Sequence, residues 1–368
     1  MVRTKGLPAW VDLGVVPLLN LAMAFLVSGF VVILLGESPI QAMKLLVYGA
    51  FGYGEAVGYT LFYATNFIFT GLAVAIAFHA GQFNIGGEGQ AYVGGLGLAL
   101  VALYLGHLPP YLTLPLAILA AALFGGIWGL IPGWLQARRG SHVVITTIML
   151  NFVAAALMTY LLVNVLIRPG QQAPESATFA EGTWLPALGP LVAQWGLDLG
   201  RSPVNLSLAI ALVCCVLFWL FVWKTRLGYE IRVVGQSEPA ALYGGISPAT
   251  VTILAMTISG ALAGLMAINE LLGVQHRLLL GFTGGYGFVG IAVALMGRNH
   301  PVGIVLSALL FGALYQGGSE LAFDMPKVNR DLVVVIQGLV VLFAGALEHM
   351  FRPKLAALFH RPEAVGAR

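Results

Sequence analysis

The sequence predicts an all-α, polytopic membrane protein, and three observations carry that prediction. Of 368 residues, 59% are hydrophobic and only 9% are charged, against roughly 25% charged in a soluble domain. So little polarity cannot cover a water-soluble globule of this length. Apolar runs of the length needed to cross a bilayer as a helix, about 20 residues, recur along the chain. Glycine numbers 47, nearly twice its usual share of about 7%, as expected where helices must pack closely without a hydrophobic drive from lipid.

Ten apolar runs are expected to span. The first, 13–35, is too long for the core of a signal peptide and lacks a cleavage site before Gly36. Residues 39–50 are too short and polar to span and read as an amphipathic surface helix. Spans 59–79, 86–106, 111–135 and 143–167 follow. Residues 168–205, rich in Pro and Gly with Trp184 and Trp195 as interfacial anchors, read as an external cap loop, either simply packed or a docking surface. Spans 206–223, 251–271, 286–297, 302–322 and 331–347 complete the set; 286–297 is short, either kinked or begun inside the preceding glycine-rich loop. Twelve of the 18 lysines and arginines fall on one side if both termini are cytoplasmic, which supports that orientation and with it an even number of spans.

Several classes are excluded. A net charge of +3, scattered along the chain, does not suit nucleic acid. Cys214 and Cys215 are adjacent in one apolar run, without metal-ligand spacing. Gly285-Tyr286-Gly287-Phe288-Val289-Gly290 fits the dinucleotide-binding pattern, but lies between spans without the βαβ unit that gives the pattern meaning. No Gly-x-x-x-x-Gly-Lys-Ser/Thr stretch occurs, so the chain is not expected to hydrolyse ATP, and no nucleophile–base constellation points to an enzyme.

Phe83-Asn84-Ile85-Gly86-Gly87-Glu88-Gly89-Gln90 places a carboxylate and two amides between apolar segments. Hydrocarbon penalises these groups unless protein or a watery cavity satisfies them, so the break is expected to line a polar path. A second cluster, Gly284-Gly285-Tyr286-Gly287, opens the eighth span; Thr70-Gly71-Leu72-Ala73 in the second resembles Ser259-Gly260-Ala261-Leu262 in the seventh. The matched segments run in opposite directions across the membrane, making a candidate inverted repeat. In the long segment 224–250, Ser237-Glu238-Pro239 reads as a helix start and Gly244-Gly245 as its stop, leaving a short helix that presents Ala240, Ala241, Leu242 and Tyr243.

Gly228-Tyr229-Glu230-Ile231-Arg232-Val233-Val234-Gly235 and Glu238-Pro239-Ala240-Ala241-Leu242-Tyr243-Gly244-Gly245-Ile246 resemble the coupling region of permease subunits of bacterial ABC importers, in the branch that includes ribose, branched-chain amino acid and nucleoside permeases. Pro239 stands where the general pattern has alanine. Within that branch the 83–90 run is similar to the signature of the nucleoside type. The resemblance implies a type II ABC importer-like fold, with one transmembrane permease domain over 1–368 in the bacterial inner membrane. It also implies a second permease subunit, a cytoplasmic ATP-binding subunit carrying ATP and Mg, and an extracellular substrate-binding lipoprotein, with no cofactor in this chain. Arg232, Glu238, Ala240, Ala241, Leu242, Gly244 and Gly245 would couple to the ATPase. Phe83, Asn84, Glu88, Gln90, Asn151, Tyr286 and Gln316 are the expected substrate path. For Asn84, Glu88 and Gln90 a structural role is equally open, with Glu88 capping backbone freed by the glycines, and helix–helix contact suits Asn151. The cargo reads as a nucleoside, with a simple sugar or branched-chain amino acid as alternatives. An ion-gradient-driven transporter is the competing class.

Overall fold

The computed structural model describes residues 15–168, 170–196 and 198–325, with Val11, Lys327 and most positions from 333 to 342. The expected span 331–347 therefore falls largely outside the described residues. Within them the regular structure is helical, with three isolated β-bridges.

In chain order the helices are α1 (Val16–Leu34), α2 (Pro39–Phe51), α3 (Gly54–His79), α4 (Gly87–Tyr104), α5 (Pro110–Arg139) and α6 (Val143–Asn164). A 3-10 turn (Glu181–Thr183) and α7 (Leu188–Ala193) lie in the stretch expected as a cap. Then come α8 (Ser207–Lys224), α9 (Arg226–Gln236), α10 (Glu238–Tyr243), α11 (Pro248–Ala267), a π-helical segment (Ile268–Gln275), α12 (Tyr286–Met296) and α13 (Pro301–Asp324). Local chemistry explains the boundaries. Ser237 Oγ accepts the Ala240 N–H and starts α10; Ser247 does the same for Thr250 at α11, which carries Pro248 in its first turn. Gly140, left-handed at φ 67°, ends α5.

Six of these helices are long and apolar enough to cross a membrane, or seven if α1 and α2, bent by 119°, form one broken span. The expected ten spans are thus not established among the described residues. Polar residues and glycines at its start dilute α4, and α12 has 11 residues, about 16 Å of helix against a hydrocarbon core of roughly 30 Å. The run 39–50, expected on the surface, is α2, folded back from α1.

The chain divides into two compact units, residues 50–316 and residues 1–49 with 317–368. In the smaller unit Val32, Ala42, Leu321 and Met325 form an apolar core. Lys327 pairs with Glu37 at 3.4 Å.

In the larger unit α3 is the enclosed helix: 83% of its apolar window is buried, against 22% for α6. It packs on α11, α12, α8 and α9. The tightest helix pair is α5 with α11, where Gly125 and Gly129 face Gly260 and Gly264 and Gly133 lies against Met256. A Cβ on Gly260 would stand 2.2 Å from the Gly125 carbonyl oxygen, so alanine there forces the backbones apart.

Candidate functional site

The two glycine clusters, far apart in sequence, meet. The turn before α4 is held by Asn84, whose Oδ1 accepts the Gly86 N–H at 2.8 Å and whose Nδ2 donates to Gln90 Oε1 at 2.9 Å and to Ser259 Oγ of α11 at 2.7 Å. Ser259 in turn donates to the Ala73 carbonyl of α3. Asn84 and Gln90 are completely enclosed; Asn84 ties the start of α4 to α11, and Ser259 carries that tie on to α3. Asn151 of α6 accepts the Gly89 N–H at 2.9 Å and donates to the Ile85 carbonyl at 3.0 Å, clamping the outer side of the same turn. Phe83 packs on Phe78 at 5.2 Å between centroids.

Glu88, in the first turn of α4, crosses to the second cluster. Its Oε1 accepts the Gly285 N–H and its Oε2 the Gly287 N–H, each at 2.9 Å. The carboxylate therefore caps the amino end of α12, where the peptide dipoles favour negative charge. The backbones touch as well: a Cβ on Gly287 would lie 2.2 Å from the Glu88 nitrogen.

Tyr286 opens α12 within an aromatic cluster built from three helices. Its ring lies 6.3 Å from Tyr63 and 5.6 Å from Phe67 of α3, and 6.0 Å from Tyr315 of α13, all edge-on. Phe67 is fully buried and backed by Phe311, whereas the three tyrosines are half-buried. Gln316 is buried on α13 next to Tyr315. Tyr63 and Tyr315 were not expected here. The i, i+4 pairing of Tyr63 with Phe67, and the neighbouring Tyr315-Gln316, were the available signals.

A second polar network lies halfway along α3, at Asn66. Asn66 donates to Glu270 Oε1 at 2.8 Å; Asn269 donates to Asn66 Oδ1 at 2.8 Å and to the Phe62 carbonyl at 3.0 Å. Asn205 and Ser207 donate to Asn269 Oδ1 at 3.0 and 2.6 Å. Asn269 and Glu270 open the π-helical segment, a geometry that is rare and concentrated at functional sites. This segment and the residues after it carry the 168–205 stretch through Leu185 N to Leu272 O, Phe179 N to His276 O and Ser176 N to Leu278 O, at 2.9, 2.7 and 2.8 Å. Trp184, expected as an interfacial anchor, instead stacks on His276 at 3.9 Å and donates to the Phe179 carbonyl; Trp195 is exposed. Burial beneath that stack lowers the His276 pKa below the ordinary histidine range.

At the carboxyl end of α3 sits the 224–250 segment. Gly235 of α9 rests on the end of α3: a Cβ there would be 2.2 Å from the His79 carbonyl oxygen and 2.9 Å from the Gly81 nitrogen. His79 also contacts Trp223 and the Asn299 carbonyl, the latter at 3.1 Å. Arg232 of α9 is half-buried, with its Nε enclosed and lacking a hydrogen-bond partner. On α10, Glu238, Ala240, Leu242 and Tyr243 are exposed, as are Gly244 and Gly245 beyond it, while Ala241 is fully buried. The surface offered outward is therefore that of Leu242 and Tyr243, with Ala241 anchoring the helix. No group of three His, Cys, Asp or Glu side chains able to hold a metal ion occurs among the described residues.

The family described as branched-chain amino acid transport system / permease component matches residues 56–345. A glucose ABC transporter permease protein of Haloferax volcanii is 36% identical over 359 residues, covering 97% of this chain and 93% of that protein. A guanosine ABC transporter permease protein of Bacillus subtilis is 36% identical over 332 residues, covering 90% and 92%. A nucleoside ABC transporter permease protein of Lactococcus lactis is 33% identical over 352 residues, covering 93% and 94%. No solved structure matches the chain.

Proposed function

The chain belongs to the permease family of the branched-chain amino acid transport system, and from that premise we propose that it is the membrane-spanning subunit of an ATP-driven importer carrying nucleosides into the cytoplasm. The cargo follows the guanosine and nucleoside permeases among its relatives. The glucose permease, equally similar, keeps a simple sugar as the second reading.

The observation that carries the mechanism is the packing of Gly235 against His79 and Gly81. Gly81 lies at the root of the turn that holds Asn84 and Glu88. An ATPase subunit docked on Leu242 and Tyr243 would move α10 and α9, and α9 has no compressible side chain between itself and the end of α3. The displacement passes into the 83–90 turn and, through the two hydrogen bonds of Glu88, into α12. Alternating access is then rocking of packed helices about the broken ones. ATP and Mg belong to the ATPase subunit, delivery to an external binding lipoprotein, and the other half of the passage to a second permease.

The inverted repeat is part of this reading. Two triplets, α3–α4–α5 and α11–α12–α13, exchange partners: α3 packs on α12, and α11 on α4 and α5. Thr70 meets Gly290, and Ser259 accepts from Asn84, which also holds Gln90. With both termini cytoplasmic in the inner membrane, ten spans complete the arrangement.

The test is ATP-driven uptake of labelled guanosine into proteoliposomes holding the assembled transporter. Uptake requires ATP, and Tyr243→Ala lowers it while the protein still inserts. Guanosine uptake by this chain alone on a proton or sodium gradient refutes the proposal. ATP-driven uptake of glucose with no guanosine uptake moves the cargo to the second reading.

A further inference from the structure

We propose that the groove between α1 and α2 is a binding site for an anionic phospholipid, with its acyl chains between the helices and its headgroup on Lys44. The inference stands apart from the cargo and concerns the smaller compact unit alone. α1 and α2 together are apolar enough to cross a membrane and meet at a bend of 119°. The groove they border has a volume of about 800 Å³, within the range of pockets that enclose small molecules. Phe25, Leu26, Ile33, Ile40, Met43 and Leu321 supply much of its wall, and its polar side chains are those of Ser28 and Lys44. Ser28 is already engaged, its Oγ donating to the Ala24 carbonyl at 2.8 Å. The wall therefore has nothing to offer water, and an apolar cavity stays dry and takes apolar ligands instead. In a bilayer those are acyl chains.

Charge defines the headgroup. Lys44 is exposed in the second turn of α2, and none of the ion pairs among the described residues engages it. The acid in the α1–α2 turn, Glu37, is taken by Lys327 at 3.4 Å, so its charge is offset and the Lys44 ammonium is left to attract an anion. Lysine is accommodated at a membrane by laying its stem on apolar surface and lifting its charge to the interface. Lys44 also selects lipid over a protein helix. An apolar helix seated in the groove would leave the ammonium without a partner, whereas an anionic phospholipid carries its charge where its chains begin.

The experiment uses the complete transporter in nanodiscs of equal parts phosphatidylglycerol and phosphatidylcholine. The photoreactive residue p-benzoylphenylalanine replaces Ile40, which lines the groove, and mass spectrometry identifies what it captures on illumination. With Lys44 in place, phosphatidylglycerol is captured about fivefold over phosphatidylcholine, the discrimination expected of one lysine at a membrane surface. Lys44→Gln, a change at an exposed position, brings the ratio close to one, and Lys44→Arg keeps it. Ala22→Trp fills the groove from α1 and lowers capture of both lipids; should that variant fail to fold, Lys44→Gln still decides. Equal capture of the two lipids with Lys44 in place, an unchanged ratio in Lys44→Gln, undiminished capture in folded Ala22→Trp, or a crosslink to the second permease subunit in place of lipid each overturns the site.

Discussion

Glu88→Gln separates a cap from a cargo ligand. In the native protein one carboxylate serves two N–H donors, Gly285 and Gly287, each at 2.9 Å. Glutamine keeps one acceptor oxygen and turns an NH2 toward the other N–H, so donor meets donor. One charge-assisted bond, about 1.5–3 kcal/mol, is lost, and the survivor falls to the strength of a neutral bond. Glu88 is half-buried, so water recovers part of this and the net cost is about 2 kcal/mol. For a chain of 368 residues that corresponds to an apparent melting temperature lower by about 3 °C, read by thermal unfolding in detergent. Glu88→Ala, which loses both bonds, should fall further. Variants that melt like wild type but show a raised KM for cargo would refute the cap and place Glu88 against the solute.

Two further outcomes follow from geometry. Gly235→Ala sets a methyl group 2.2 Å from the His79 carbonyl oxygen, an overpacking of backbone on backbone costing about 1–3 kcal/mol; ATP hydrolysis should persist in the assembled transporter while uptake per ATP falls, and unchanged stoichiometry would sink the α9 route. The lowered pKa of His276 means that the folded protein prefers the neutral ring. Its contribution to stability is complete above the unfolded value of 6.5 and is lost as pH falls through the lower folded value. Melting curves should show a decline below that pH that is absent in His276→Gln, and parallel curves would remove His276 as the cause.

Much of this architecture was legible in local sequence. Ser237 marked the start of α10 and Gly244-Gly245 its end, because capping is a matter of neighbours along the chain. The clusters at 86–89 and 284–287 marked the amino ends of α4 and α12 for the same reason. What eluded the sequence are contacts between elements. Nothing near Glu88 signals that its carboxylate reaches residues 285 and 287, and nothing near Tyr63 announces Tyr315. Ala241 reads as exposed among small residues, yet the α9–α10 turn rolls it inward, a choice made by packing rather than propensity. The π-helical segment is equally silent in the local sequence.

The fastening of α3 has a mechanical consequence. Asn66 binds it to the segment that carries the 168–205 stretch, and His79 binds it to α9. These two grips are 13 residues apart, about 20 Å along a helix. A push delivered at either grip thus arrives on the same stiff rod, without any wire of side chains running between them.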